Sequence, residues 1–265
     1  MAVMLDWHSK GQGSDLVLIH GWGMNGAVWQ DVIPALAEHF TVHWCDLPGY
    51  GNSGEVSAES LVEITQAVLA QAPLQATWLG WSLGGLVATQ AALMAPERVT
   101  QLITLASSPS FMAREGWRGI KPDVLINFQS QLASDFTLTV ERFLALQAMG
   151  SPTARQDIKN LKQAVLERPM PDPTALALGL RLLKTVDQRE ELSQLTQPWL
   201  RMYGRLDGLV PVKTEAVITK LCPQSSSYIF QSASHAPFIS HPEEFISVVH
   251  QFICKESVGS AELSL

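Results

Sequence analysis

Three clusters in this 265-residue chain could carry nucleophilic chemistry. Gly80-Trp81-Ser82-Leu83-Gly84 places a serine in a G-x-S-x-G pattern. A serine hydroxyl is a weak nucleophile at neutral pH and needs a base beside it. The base needs an acid that fixes its orientation and stabilises its protonated form. Asp207 lies in Gly204-Arg205-Leu206-Asp207-Gly208-Leu209-Val210-Pro211, and His235 in Ser232-Ala233-Ser234-His235-Ala236-Pro237-Phe238. Ser82, Asp207 and His235 are therefore the catalytic candidates, and their order along the chain suits one known arrangement of nucleophile, acid and base. Each has a plainer alternative. The pentapeptide could be a chance match in a glycine-rich loop. Asp207 could serve only its own turn. His235 could be one loop histidine among seven. Three such motifs in one order outweigh the alternatives taken singly.

Attack on a carbonyl develops negative charge on its oxygen, which backbone N–H groups can hold. Leu83, directly after the serine, supplies one such group. Trp22, in His20-Gly21-Trp22-Gly23-Met24-Asn25, is the candidate for the second. His20 reads as a structural residue that holds this loop, and the loop could also be an ordinary turn between strand and helix.

These residues need elements that bring them to one place. Leu16–Ile19, Phe40–Cys45, Ala76–Leu79 and Val99–Ala106 are apolar and strand-like, and helical patterns alternate with them, from about Val28 to Glu38 and after Gly84 to Met94. This β-α-β-α rhythm predicts an α/β fold with a mostly parallel central sheet flanked by helices. Gly80 and Gly84 lack a β-carbon, so strand and helix can approach around a strained turn at Ser82. The rhythm breaks after Ser107-Ser108-Pro109, where patterns turn helical. Strand-like runs return at Pro198–Tyr203 and Ser227–Phe230, and an amphipathic helix is expected from about Glu243 to Cys254. The organisation expected is an α/β core of residues 1–110 and 186–255, an all-helical insert of residues 111–185, and a frayed tail of residues 256–265. The insert should sit over the C-terminal edge of the sheet, where open α/β sheets bind ligands.

Composition narrows the function classes. With 46% hydrophobic and 16% charged residues, the chain suits one domain with a large core. No apolar stretch is long enough to span a bilayer, and the start of the chain lacks the basic and apolar regions of a signal peptide. Cys45, Cys222 and Cys254 are widely spaced and odd in number, which suggests reduced thiols in a cytoplasmic protein and no metal pattern. The net charge of −7 argues against a nucleic-acid partner. Residues 111–185 carry a net +3, which leaves −10 on the rest.

The segments His20-Gly21-Trp22-Gly23, Asp46-Leu47-Pro48-Gly49, Gly80-Trp81-Ser82-Leu83-Gly84, the Asp207 turn and the His235 turn together resemble the α/β-hydrolases over roughly residues 5–253. Asp46–Ser53 is similar to a structural turn of that family. The segments Glu141–Gln147, Leu206–Pro211 and His235–Pro242 resemble, more narrowly, its biotin-synthesis esterases, which act on a methyl-esterified pimeloyl group carried by acyl-carrier protein. That resemblance implies the α/β-hydrolase fold, a helical lid in the insert, and a Ser-His-Asp carboxylesterase working through an acyl-enzyme. It implies backbone donors at Trp22 and Leu83, no metal or redox cofactor, and substrate contacts at Trp22, Ser82, Leu83, Phe143, Leu144, Leu146, Gln147 and His235. Small esters are further expected substrates, and a monomer is expected.

A polymethylene chain wants an apolar channel, for which Phe128, Phe143, Leu144, Leu146 and Met149 are available. Plain packing within the insert is the alternative for most of them. An acidic carrier protein wants a basic surface. Arg142, Arg155, Lys159 and Lys162 are the docking candidates, the last three at helical spacing on one face, although a merely solvated face would look the same. Leu138 departs from that pattern, since a basic residue there would extend the patch. Two other functions stay open: a general short-chain carboxylesterase, lipase or carbon–carbon bond hydrolase of the same fold, and a catalytically silent binding protein.

Overall fold

A computed structural model of the chain describes residues 4–134, 136–149 and 152–256. The expected tail therefore lies, from residue 257 on, outside the described residues. In chain order the elements are β1 (Trp7–Lys10), β2 (Ser14–Ile19), α1 (Ile33–Leu36), β3 (Phe40–Cys45), α2 (Leu61–Leu69), β4 (Ala76–Trp81), α3 (Leu83–Met94) and β5 (Val99–Leu105). Helices α4 (Pro122–Ser134), α5 (Phe136–Ala148), α6 (Ala154–Leu166) and α7 (Pro173–Thr185) follow. Then come β6 (Trp199–Gly204), α8 (Thr214–Leu221), β7 (Ser226–Phe230), α9 (Pro237–Ser240) and α10 (Pro242–Glu256).

The strands form one sheet in the order β1-β3-β2-β4-β5-β6-β7, and among the described residues only β1 runs antiparallel, against β3. The mostly parallel sheet expected from the alternation is present. Its central strands are buried on both faces: every residue of β4 and β6 is buried, Arg201 included, as strands covered on both sides must be. Helices α2 and α3 pack together, and α1 packs against α10, so two helical layers flank the sheet. Helix α3 is buried almost all round, which suits its alanines, glycines and leucines.

Local signals set several boundaries. The Ser60 hydroxyl caps α2 by accepting the Glu63 N–H at 3.2 Å. Asp172 caps α7 by accepting the Thr174 N–H at 2.7 Å, and Pro173 follows at the first helical position. The single helix expected over Val28–Glu38 is instead a 3-10 turn at Gly26–Trp29 and the short α1. Pro34 has no N–H to continue a helix from the preceding turn, so the helix restarts there. Strand β1 is short and half-buried, and its pattern did not stand out in the sequence.

Because β2 through β7 are parallel, their C-terminal ends share one edge. The segments after β2, β3, β4, β5, β6 and β7 all arrive there, and the four helices between β5 and β6 pack in sequence, α4 on α5 and α7, α5 on α6.

Candidate active site

Ser82 occupies the single residue between β4 and α3. Its φ of 55° lies in the left-handed region, which costs a non-glycine residue strain that the surroundings must hold. Three backbone contacts do so. Ser82 donates its N–H to the Leu105 carbonyl at 2.9 Å, and its carbonyl accepts the Gly85 N–H at 2.9 Å and the Ser107 hydroxyl at 2.8 Å. A β-carbon on Gly84 would overlap the carbonyl oxygens of Ile19 and His20, so the start of α3 can lie directly on the end of β2 only with glycine there. The same approach brings Gly21 beside the Ser82 side chain.

Asp207 follows β6, and His235 follows β7 at the far edge of the sheet. To reach Ser82 the His235 loop must fold back across β6 and β5. Backbone pairing holds it in that course: Leu206 donates to the Ala233 carbonyl at 3.0 Å, and Arg205 to that of Phe230 at 2.9 Å. Trp81, adjacent to the serine, donates its indole N–H to the His235 carbonyl at 2.7 Å. His235 in turn donates its backbone N–H to the Gln147 carbonyl of α5 at 3.0 Å. The imidazole is then placed between the other two groups. His235 Nδ1 lies 2.7 Å from Asp207 Oδ2, and Nε2 lies 2.9 Å from Ser82 Oγ.

An ionised carboxylate can only accept, so His235 Nδ1 carries the proton and Nε2 is free to accept the serine hydroxyl. The other oxygen of Asp207 accepts the Leu209 and Val210 N–H groups at 2.8 and 3.0 Å, which holds the carboxylate in place against the imidazole. Ser82, Asp207 and His235 are 1, 6 and 0% exposed. In such a dry site each of these contacts is stronger than in water. The arrangement can deprotonate the serine as it attacks, and can return the proton to a leaving group.

The Gly21–Asn25 turn after β2 lies on the other side of Ser82. Among the described residues the backbone N–H groups of Trp22 and Leu83 donate to no other group, so two donors beside the serine are unspent. The turn is gripped from the insert. Trp22 donates its indole N–H to the Leu176 carbonyl of α7 at 2.9 Å and packs edge-on against Phe143 of α5, ring centroids 4.6 Å apart. A β-carbon on Gly179 of α7 would overlap the Trp22 ring. Asn25 donates its amide to the Ala164 and Val165 carbonyls of α6 at 3.1 and 3.3 Å. His20 is buried, which pushes its pKa down, although Asp46 and the Gly21 hydrogen bond work against that. It is neutral: Nδ1 donates to the Gly21 carbonyl at 2.8 Å and Nε2 accepts the Leu47 N–H at 3.0 Å.

Of the expected substrate contacts, Trp22, Ser82, Leu83, Phe143, Gln147 and His235 come together around the serine. Leu144 is buried in the insert. Leu146 instead lines an outer groove of about 370 Å³ between α4 and α5, with Phe128, Arg142 and Met149. Among the described residues, neither of the buried amide atoms of Gln147 has a hydrogen-bond partner. Arg142, Arg155, Lys159 and Lys162 are exposed, while Asp157 on the same helix is buried against the Thr153 hydroxyl. No sequence pattern marks the Gln147 carbonyl on His235, Ser107 on Ser82, or the insert's hold on Trp22. All three are contacts between segments far apart in the chain, and each runs through a backbone carbonyl that carries no residue signature.

Among the described residues, no group of three or more His, Cys, Asp or Glu is arranged to hold a metal ion, and no helix is long and apolar enough to cross a membrane.

Comparison with known proteins agrees with this geometry. Residues 16–242 match the family described as alpha/beta hydrolase fold. The chain is 65% identical over 253 residues to the pimeloyl-[acyl-carrier protein] methyl ester esterase of Photobacterium profundum, covering 96% of this chain and 100% of the relative. It is 57% identical to the protein of the same name from Vibrio vulnificus, covering 96% and 100%. Among solved structures, an esterase from Exiguobacterium antarcticum superposes with a TM-score of 0.83 at 21% identity, over 94% of this chain and 95% of that one. A hydrolase from Oleispira antarctica gives 0.83 at 20% identity, over 94% of each.

Proposed function

This chain belongs to the alpha/beta hydrolase family, and we propose that within it the protein is a serine carboxylesterase that hydrolyses the methyl ester of pimeloyl-[acyl-carrier protein] methyl ester, giving methanol and pimeloyl-[acyl-carrier protein]. One observation carries the chemistry: the buried relay of Asp207, His235 and Ser82, with contacts of 2.7 and 2.9 Å. The substrate rests on the name shared by relatives 57 to 65% identical over nearly the whole chain.

In this reading Ser82 Oγ attacks the methyl ester carbonyl while His235 Nε2 takes its proton. The carbonyl oxygen becomes an oxyanion held by the N–H groups of Trp22 and Leu83. The tetrahedral intermediate collapses, and the methoxy group leaves as methanol with the proton from His235. Water then attacks the acyl-enzyme, giving one proton to His235. A second collapse returns that proton to Ser82 and frees the carboxylate. Asp207 keeps the imidazole in the working tautomer and balances its charge while it is protonated.

The helices α4–α7 act as the lid. Phe143 faces the polymethylene chain with Trp22, Leu144 packs behind it within the lid, and the Gln147 amide is available to a polar group of the acyl arm. Arg142, Arg155, Lys159 and Lys162 form the surface for the acidic carrier protein, and Leu146 lies in the groove beside Arg142. The protein works as a cytoplasmic monomer without a cofactor, and small esters that fit under the lid are also cleaved.

Mass spectrometry of methyl pimeloyl-acyl-carrier protein incubated with this protein tests the reading. Loss of the methyl group with the thioester intact, absent with Ser82→Ala, is the expected result. Cleavage of a small ester with no conversion of the carrier-bound substrate would move the function to a general esterase.

A further inference from the structure

Asp46, the residue directly after β3, is a fully buried carboxylate, and it is unusually busy for a residue outside the relay. Oδ1 accepts the Gly26 N–H at 2.7 Å, and Oδ2 accepts the Asn52 N–H at 2.8 Å. Its counter-charge comes from the insert: Arg168, two residues after α6, donates Nη1 to Asp46 Oδ2 at 2.7 Å. The guanidinium also pairs with Asp6 and lies 3.3 Å from His8 Nε2. With a side chain only 13% exposed, Arg168 is held in place on several sides.

What Asp46 grips is the exit of the Gly21–Asn25 turn. Gly26 follows that turn directly, and Asn25 is anchored to the Ala164 and Val165 carbonyls at the end of α6. One stretch of the insert, residues 164–168, thus fixes the turn twice, by two carbonyls on Asn25 and by a cation on the carboxylate that holds Gly26. Without that cation Asp46 would be a buried charge lacking its partner. The carboxylate must then turn toward water or another donor, which loosens its hold on the Gly26 and Asn52 N–H groups, and the turn relaxes.

We propose that Arg168 is a positioning residue for ester hydrolysis: through Asp46 it fixes the Gly21–Gly26 segment so that the Trp22 N–H meets the oxyanion formed at Ser82. The inference rests on the serine-esterase reading above. Arg168 touches neither substrate nor the relay; it acts on the reaction only through the turn.

The test compares Arg168→Met and Arg168→Lys with wild type on p-nitrophenyl butyrate. It adds inhibition by an alkyl trifluoromethyl ketone, which forms a tetrahedral oxyanion on the serine, and binding of the matching methyl ketone, which does not. For Arg168→Met, kcat should fall roughly 10- to 100-fold with KM within about twofold, as expected when a transition-state donor shifts by about an ångström. Affinity for the trifluoromethyl ketone should fall by a similar factor and that for the methyl ketone should hold. Arg168→Lys should recover most of the loss.

Unchanged kcat and trifluoromethyl ketone affinity in Arg168→Met would overturn the proposal. So would a rise in KM with both ketones weakened together, which would make Arg168 a mere lid fastener. If Arg168→Met does not fold, Arg168→Gln carries the same expectations, since its amide can fill the space without a charge. Ser82→Ala separates this from the parent reading. An inert Ser82→Ala beside an indifferent Arg168 variant sinks only the positioning role; an active Ser82→Ala overturns the serine-esterase reading and the positioning role with it.

Discussion

The reacting groups and the helices above them are held by different kinds of contact. Ser82, Asp207 and His235 hang from the ends of parallel strands, and backbone pairing along β4, β5, β6 and β7 fixes their spacing. The insert meets that edge through a handful of long-range contacts: Leu176 on Trp22, α6 on Asn25, Arg168 on Asp46, and Gln147 on His235. A sheet end gives a rigid frame in which the same chemistry can be done on any ester. A helical segment tied down at a few points can decide which ester arrives and how well the oxyanion turn is held, without being part of the relay. The division implies that changes below the serine affect all substrates alike, whereas changes above it separate substrates from one another unless they reach the Gly21–Asn25 turn.

The largest expected effects test the first half. Ser82→Ala and Asp207→Asn should each lower kcat by about 10⁴-fold or more, equally on carrier-bound and small esters, with little change in thermal stability. Steady-state kinetics on both substrates checks this. A variant that spared one substrate would show that the frame is not indifferent to what it holds.

Two glycines, one in each region, sharpen the contrast. A β-carbon at Gly84 meets the backbone carbonyls of Ile19 and His20, which cannot move without disturbing the end of β2, while one at Gly179 meets side-chain groups, the Trp22 ring and the Tyr50 hydroxyl. Gly84→Ala should therefore lower stability by about 1–3 kcal/mol or prevent folding. Gly179→Ala should leave the melting temperature closer to wild type and lower kcat severalfold by pushing Trp22 off its place. Melting curves beside kinetics distinguish the two, and equal loss of stability in both would dissolve the comparison.

The outer face of α6 gives a smaller, more selective effect. Arg155 and Lys159 are exposed there. Arg155→Glu with Lys159→Glu should lower kcat/KM for carrier-bound substrate about tenfold at low salt, less as salt rises, because exposed charges act mainly on association. The rate on p-nitrophenyl butyrate should not move. An equal loss on both substrates would mean that these residues support the insert rather than dock a partner.

How much of this was legible in the sequence follows the same division. The α/β alternation, the Ser82 turn and the Asp207 and His235 turns stand out because each needs particular residue types at fixed spacing: apolar runs for buried strands, glycine where a helix lies on a strand, an acid and a base after strand ends. The Gly21–Asn25 turn beside the serine is legible for the same reason. The ties from the insert are not. Leu176, Ala164, Val165 and Gln147 act through carbonyl oxygens that any residue would offer in their place. Arg168 reads as one more charge of a basic insert until Asp6 and Asp46 are seen against it. The broken helix at Val28–Glu38 has a local cause in Pro34, visible but outweighed by the apolar periodicity around it. Strand β1 is four residues long and gains its stability from pairing with β3, which no local pattern announces.

The smallest prediction concerns acid. Beside the buried Asp46, two partly exposed carboxylates, Asp6 and Asp187, help fasten the insert to the core. Burial alone would raise the Asp6 pKa, but hydrogen bonds from His8 and Asn52 and the Arg168 charge outweigh it and hold the group below its usual value. Asp187, just after the insert, is held down by its hydrogen bond from Arg189 against the cost of burial, with Arg114, at the insert's start, 3.3 Å away. A carboxylate whose pKa is lower folded than unfolded adds stability that is complete above the unfolded value, near pH 4, and is lost as pH falls through the folded one. These pairs should therefore contribute equally at pH 7 and pH 5 and fade below about pH 4, each by roughly 0.5 kcal/mol because both are partly exposed. The triad has no such exposed fastening. Hydrogen exchange corrected for intrinsic rates should then show α6 and α7 losing protection at pH 3.5 before β4 does, and Asp6→Asn should bring that loss on already at pH 7. Simultaneous loss in both regions would show that the insert and the sheet edge unfold as one unit, and that the few ties between them are strong enough to erase the difference.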